Sequence, residues 1–108
     1  MMFVFLFLAQ VSFADDTVYK ITLKDQKIVP EKIEVVAGES FWLEIDNTDN
    51  SSEEIESNSL KIEKIIPPRR QIKVKVKALK EGVYDLFGEF HPKTSRAEII
   101  AKPKAVAP

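Results

Sequence analysis

Two short segments of this chain concentrate side chains that can bind a metal ion. They span residues 47–57 and 87–94. Their candidate donors are carboxylates and the single imidazole, namely Glu53, Glu54, Glu56, Glu89 and His91. Carboxylates with one imidazole suit Fe(II), Fe(III), Mn(II) or Cu(II) better than Cu(I). The sequence contains no cysteine, so disulfides, thiolate metal sites and thiol nucleophiles are excluded.

Strand alternation separates the acidic residues of the first segment. If Ile55 points inward on a strand, Glu53 shares its face whereas Glu54 and Glu56 face the other way. In the second segment, the two candidate donors are two residues apart, so they share a face if the chain is extended there. An ordinary alternative stays open, in which the glutamates form a solvated acidic loop and the histidine is exposed or locally hydrogen-bonded.

Apolar and polar residues alternate along much of the chain, beginning with Tyr19, Ile21 and Leu23 on one face. Strands are therefore predicted at 17–24, 32–36, 40–46, 71–78, 82–87 and 97–102. The segment 52–66 fits either helical spacing or a strand followed by a turn, and both alternatives stay open. Several short strands without a convincing long helix indicate an all-β, antiparallel sandwich.

Length and composition indicate one small domain, and the N-terminal segment indicates that it is exported. The 108 residues suit a single core, and the formal net charge of −1 gives no bias toward nucleic acid or an anionic membrane. The apolar run 1–9 is too short to span a membrane and is followed by small residues, although the Lys or Arg that usually precedes such a run is missing. We therefore expect a signal peptide at 1–14, a domain at 15–102, a disordered tail at 103–108 and a periplasmic location.

Three segments carry a resemblance to a known family. Residues 29–39 (VPEKIEVVAGE), 43–49 (LEIDNTD) and 82–91 (GVYDLFGEFH) resemble, in content and in order, the opening strands and the ligand-bearing loop of cupredoxins. The resemblance covers about residues 17–102. It implies a cupredoxin-like Greek-key β-sandwich of about seven to eight strands.

The resemblance also implies where a metal would lie. Blue-copper members of the family use His, Cys, His and Met, and these positions fall here at Glu53, Gly88, His91 and near Arg96. Only His91 keeps its ligand type, so a type 1 blue-copper centre is not expected. The missing thiolate leaves a gap at Gly88 that water or a neighbouring carboxylate could fill.

The acidic segment followed by Gly-Glu-Phe-His-Pro is similar to cysteine-free cupredoxins associated with bacterial high-affinity iron permeases. It also resembles the N-terminal cupredoxin domain of periplasmic iron-uptake lipoproteins. This similarity implies an accessory protein that binds Cu(II) or iron and assists ferrous-iron oxidation or delivery. Its partners would be an inner-membrane iron permease and a periplasmic iron-binding protein. The implied metal ligands are His91, Glu89, Glu53 and Glu56, with Glu54 as an alternative.

Two other functions compete with this interpretation. The sandwich could be a metal-free periplasmic module that binds a permease or another protein through its loops. A self-standing ferroxidase is less favoured, because a single site with one histidine offers little means of passing electrons onward to oxygen.

Overall fold

The computed structural model describes residues 17–105 and has an all-β architecture of nine strands. The strands are β1 (Thr17–Lys24), β2 (Lys27–Val29), β3 (Lys32–Val36), β4 (Phe41–Asn47), β5 (Glu53–Ser57), β6 (Ile62–Ile66), β7 (Gln71–Val76), β8 (Gly82–Gly88) and β9 (Arg96–Lys102). The predicted signal peptide at 1–14 lies outside the described residues, as do residues 106–108 of the predicted tail. Within the described range, no helix is long and apolar enough to cross a membrane.

The strands form two sheets, in the orders β2-β1-β4-β7 and β3-β9-β8-β5-β6. The β-sandwich prediction is thereby confirmed, but two of the pairings are parallel, β1 with β4 and β3 with β9. The prediction of a purely antiparallel sandwich is wrong at these pairs. The chain crosses to the other sheet at β3 before it returns to β4, and β4 then runs in the same direction as β1.

The apolar core lies between the two sheets. Ile21 and Leu23 of β1 and Phe41, Leu43 and Ile45 of β4 are at most 2% exposed. On the other sheet Ile55, Leu86 and Ile99 are equally buried. Complete burial of each such side chain stabilises the fold by about 1.5–3 kcal/mol. The inward face that alternation predicted for β1 is confirmed.

The segment that sequence patterns left open folds as a hairpin of β5 and β6 rather than as a helix. Asp85 of β8 fixes the connecting turn, because its carboxylate accepts hydrogen bonds from the backbone N–H groups of Asn58 (2.9 Å) and Ser59 (3.0 Å). Burial alone would raise the pKa of Asp85, but the hydrogen bonds from the Ser59 hydroxyl and from these N–H groups lower it to about 2. Contacts with a distant strand therefore decide the conformation of this segment, whose local sequence pattern is ambiguous.

Candidate metal centre

Pairing between β5 and β8 brings the two donor-bearing segments together. Ile55 lies opposite Gly88, and Glu89 N donates to the carbonyl of Glu54 at 2.8 Å. The loop that follows closes on itself, since Gly88 N donates to the carbonyl of Ser95 at 2.8 Å. The acidic strand and the histidine loop thus meet at one end of the five-stranded sheet.

Glu53 is a buried carboxylate with three hydrogen-bond donors around it. Its side chain is 5% exposed, and Oε2 accepts a hydrogen bond from Nδ1 of His91 at 2.7 Å. Oε1 accepts from the backbone N–H groups of Phe90 at 2.9 Å and Glu54 at 3.0 Å. Burying a carboxylate is costly unless it is paired and hydrogen-bonded, and here both oxygens are satisfied. His91 remains 24% exposed, so the pair reaches the surface through its imidazole.

Gly88 leaves the space that this carboxylate occupies. A Cβ at position 88 would lie 2.6 Å from Cδ of Glu53 and 2.5 Å from Oγ of Ser95, both far inside van der Waals contact. The gap expected beside Gly88 is therefore filled by a neighbouring carboxylate, one of the two possibilities considered from sequence. Position 88 must be glycine because the side chains of Glu53 and Ser95 lie too close to leave room for a Cβ.

Ser95 is a residue of this site that sequence reasoning missed. It is 1% exposed, and its Oγ has no hydrogen-bond partner among the described residues. Counting back by two from the inward-facing Ala97 and Ile99 of β9 would have placed it on the inner face. A buried hydroxyl without a partner costs about 1–3 kcal/mol. A ligand that contacted this oxygen would remove that cost.

The other glutamates of β5 face away from this site, as alternation predicted for an inward Ile55. Their carboxylates join that of Glu63, and oxygens of Glu54, Glu56 and Glu63 lie within 4.8 Å of one another. Partial burial and the carboxylates of Glu63 and Glu56 raise the pKa of Glu54 to about 7. The structure thus places Glu56, one of the predicted ligands, on the opposite face of the strand from Glu53.

Glu89 is exposed at the start of the histidine loop. The expectation that it shares a face with His91 required an extended chain. The chain instead turns here, with His91 N donating to the carbonyl of Gly88 at 3.2 Å. Of the four predicted ligands, the structure brings Glu53 and His91 into direct contact.

The sequence model of the family described as "Cupredoxin-like domain" matches residues 1–101. This chain belongs to that family. The cupredoxin-like domain is also 43% identical, over 81 residues, to "Uncharacterized protein RP394" of Rickettsia prowazekii (strain Madrid E), and that match covers 75% of the chain. The matched region spans 65% of the length of the rickettsial protein.

Solved structures share the cupredoxin-like fold at low sequence identity. Auracyanin A, a "blue" copper protein from Chloroflexus aurantiacus, aligns with a TM-score of 0.69 and 9% identity over 81% of this chain and 99% of its own. Amicyanin from Paracoccus versutus aligns with a TM-score of 0.60 and 18% identity over 82% of this chain and 83% of its own. At identities this low, the alignments show that the fold is shared.

The residues of the cupredoxin-like domain do not fit a type 1 copper centre. The position expected for the thiolate is Gly88, and its side-chain space holds the carboxylate of Glu53. The donors present are one imidazole nitrogen, one carboxylate and one hydroxyl, from His91, Glu53 and Ser95. Such nitrogen and oxygen donors fit a harder cation, such as Cu(II), Fe(II) or Mn(II).

Proposed function

We propose that this cupredoxin-like domain is a periplasmic metal-binding protein whose centre is the pair of His91 and Glu53. The observation that carries the proposal is the 2.7 Å contact between Nδ1 of His91 and Oε2 of the buried Glu53. The family resemblance assigns these two positions to copper-binding histidines. In this proposal the carboxylate of Glu53 takes the place of one histidine, and His91 keeps the other.

The surroundings of Glu53 support a metal-binding role. Two backbone N–H groups hold Oε1 in place, so Oε2 keeps its orientation toward the imidazole. Groups that fix a ligating carboxylate from behind are a regular feature of protein metal sites. Nδ1 and Oε2 are close enough for one cation to contact both atoms.

The donor chemistry leads to the biological role that we propose. Without a thiolate, the site suits Cu(II) or iron and does not favour rapid exchange between Cu(I) and Cu(II). The protein then acts as an accessory in high-affinity iron uptake, assisting ferrous-iron oxidation or delivering metal to an inner-membrane permease. This part of the proposal is supported by the similarity to permease-associated cupredoxins and by the hard donor set.

One observation favours a second candidate, the metal-free interaction module. The hydrogen bond between His91 and Glu53 satisfies both groups without a cation, and Phe90 beside them is 47% exposed. In this case the sandwich presents an apolar loop tip to a protein partner, and the buried pair only holds the loop.

Titration of the purified protein with Cu(II) and with Fe(II), by calorimetry and electron paramagnetic resonance, tests the metal-binding proposal. We expect one site with a Kd of about 10 μM or tighter, and a loss of at least about tenfold in affinity in His91→Ala. Glu56→Gln is the matched control and should bind normally, because Glu56 faces away from the pair. Glu89→Gln decides whether the exposed Glu89 adds a donor. Binding weaker than about 1 mM would contradict the proposal and leave the interaction module.

A further inference from the structure

The buried hydroxyl of Ser95 lies beside the proposed metal pair and has no structural task. Its Oγ has no hydrogen-bond partner among residues 17–105, although the residue is 1% exposed. Buried hydroxyl groups in folded proteins nearly always have a partner, and an exception calls for an explanation such as a missing ion or water. The hydroxyl oxygen of Ser95 is thus buried without a hydrogen-bond partner among the described residues, and it could serve as a metal ligand.

The position of this hydroxyl relative to Glu53 is set by Gly88. Oγ of Ser95 lies 2.5 Å, and Oε2 of Glu53 lies 2.7 Å, from the point that a Cβ of residue 88 would occupy. Both oxygens therefore approach one point, which they can do because Gly88 has no side chain there. Oε2 is also the atom that contacts Nδ1 of His91. Glu53 on β5 and two residues of the loop between β8 and β9, His91 and Ser95, thus supply three donor atoms, with Oε2 of Glu53 next to both the imidazole and the Gly88 position.

We propose that Oγ of Ser95 is the third protein donor of the metal centre, together with Nδ1 of His91 and Oε2 of Glu53. This inference rests on the proposed function and adds to it a ligand and a metal class. One nitrogen and two oxygen donors favour divalent cations such as Mn(II), Fe(II) and Cu(II) over Cu(I). A cation also supplies the partner that the buried hydroxyl lacks.

Removal of the hydroxyl tests the inference first. Ser95→Ala should bind Mn(II) and Fe(II) about five- to tenfold more weakly than the wild-type protein in calorimetric titrations. The metal-free variant should be no less stable than the wild-type protein, because an unpaired buried polar atom has been removed. Ser57→Ala is the matched control. Ser57 is also buried, but its hydroxyl donates to Asp85, so this variant should keep its metal affinity.

Ser95→Cys gives a spectroscopic test that a purely structural serine would not affect. If the side chain at position 95 reaches the metal, Cu(II) bound to this variant should show an intense thiolate-to-copper charge-transfer absorption. The wild-type protein and Ser57→Cys should lack that band. The experiment requires only that the variants fold, which their metal-free unfolding midpoints establish.

The outcomes separate this inference from the proposed function. Wild-type binding, weaker binding by Ser95→Ala and a coloured Ser95→Cys complex support both. Wild-type binding with unchanged affinity in Ser95→Ala and a colourless Ser95→Cys complex overturns the third donor and keeps the metal centre of His91 and Glu53. The absence of binding by the wild-type protein overturns both.

Discussion

Glu53 and Glu54 are neighbours on β5, yet their surroundings are opposite. Glu53 points into the sandwich, where an imidazole and two backbone N–H groups donate to it. Glu54 points outward, toward the carboxylates of Glu56 and Glu63, and its pKa is raised to about 7. One acidic run in the sequence therefore becomes two chemically different sites in the structure.

The difference teaches that charge alone does not identify a metal ligand. The outer carboxylates of Glu54, Glu56 and Glu63 form a cluster of three, and the neighbours that raise the pKa of Glu54 are the other two carboxylates. The inner carboxylate has fixed partners, an adjacent imidazole and an orphaned hydroxyl. Preorganisation by neighbours distinguishes the inner site from an acidic surface.

The largest expected effect comes from closing the space beside Glu53. Gly88→Ala should destabilise the protein by about 3 kcal/mol in urea denaturation, because the new methyl group collides with the carboxylate and with Ser95. Gly38→Ala is the control, since Gly38 has a φ of 84° but nothing within 4 Å of its Cβ position. It should cost about 1 kcal/mol from backbone strain alone. Equal effects at the two glycines would contradict the close packing inferred at Gly88.

Isosteric neutralisation of the inner carboxylate should have the next largest effect. Glu53→Gln should lower the free energy of unfolding at pH 7 by about 2 kcal/mol, because a charge-assisted contact with His91 is replaced by a neutral one. Chemical denaturation measures this change. A Glu53→Gln variant as stable as the wild-type protein would show that the buried pair contributes little to the folded state.

Asp85 tests whether a carboxylate can be stabilised by N–H and hydroxyl donors without a cationic partner. Its pKa of about 2 lies below the ordinary 3.8, so its contribution to stability is present above pH 3.8 and is lost as the pH falls toward 2. Asp85→Asn should cost about 1 kcal/mol at pH 7, and the difference should shrink in acid. A difference that is independent of pH between 7 and 2 would contradict this assignment.

The smallest expected effect has the opposite sign and lies on the outer face. The pKa of Glu54 is raised from 4.5 to about 7, so its contribution to stability is present below pH 4.5 and is lost as the pH rises through 7. Glu54→Gln should therefore unfold at a slightly higher temperature than the wild-type protein at pH 8, and at the same temperature at pH 4.5. A lower unfolding temperature at pH 8 would show that Glu54 has a favourable partner there.

Local patterns predicted much of this fold and part of the site. Period-two alternation located β1, β4 and β7, and the inward Ile55 correctly placed Glu53 and Glu56 on opposite faces. The β5–β6 hairpin was ambiguous, because its turn is fixed by Asp85 from a distant strand. The parallel pairings were missed, because strand direction depends on where the chain crosses between sheets.

The remaining site features depend on the register between strands, which no local pattern contains. That a carboxylate fills the space at Gly88 follows from the pairing of β5 with β8. The approach of Ser95 follows from the closure of the loop between β8 and β9. Both contacts join residues that are far apart in sequence or separated by a turn, so sequence reasoning missed Ser95.

Anomalous X-ray diffraction from crystals soaked with Cu(II) tests the central claim most directly, because it locates the ion on one face of β5 or the other. We expect one peak at about 2 Å from Nδ1 of His91 and Oε2 of Glu53, and its loss in His91→Ala. A principal peak among Glu54, Glu56 and Glu63, or no peak at either place, would contradict the assignment of the metal centre to the inner pair.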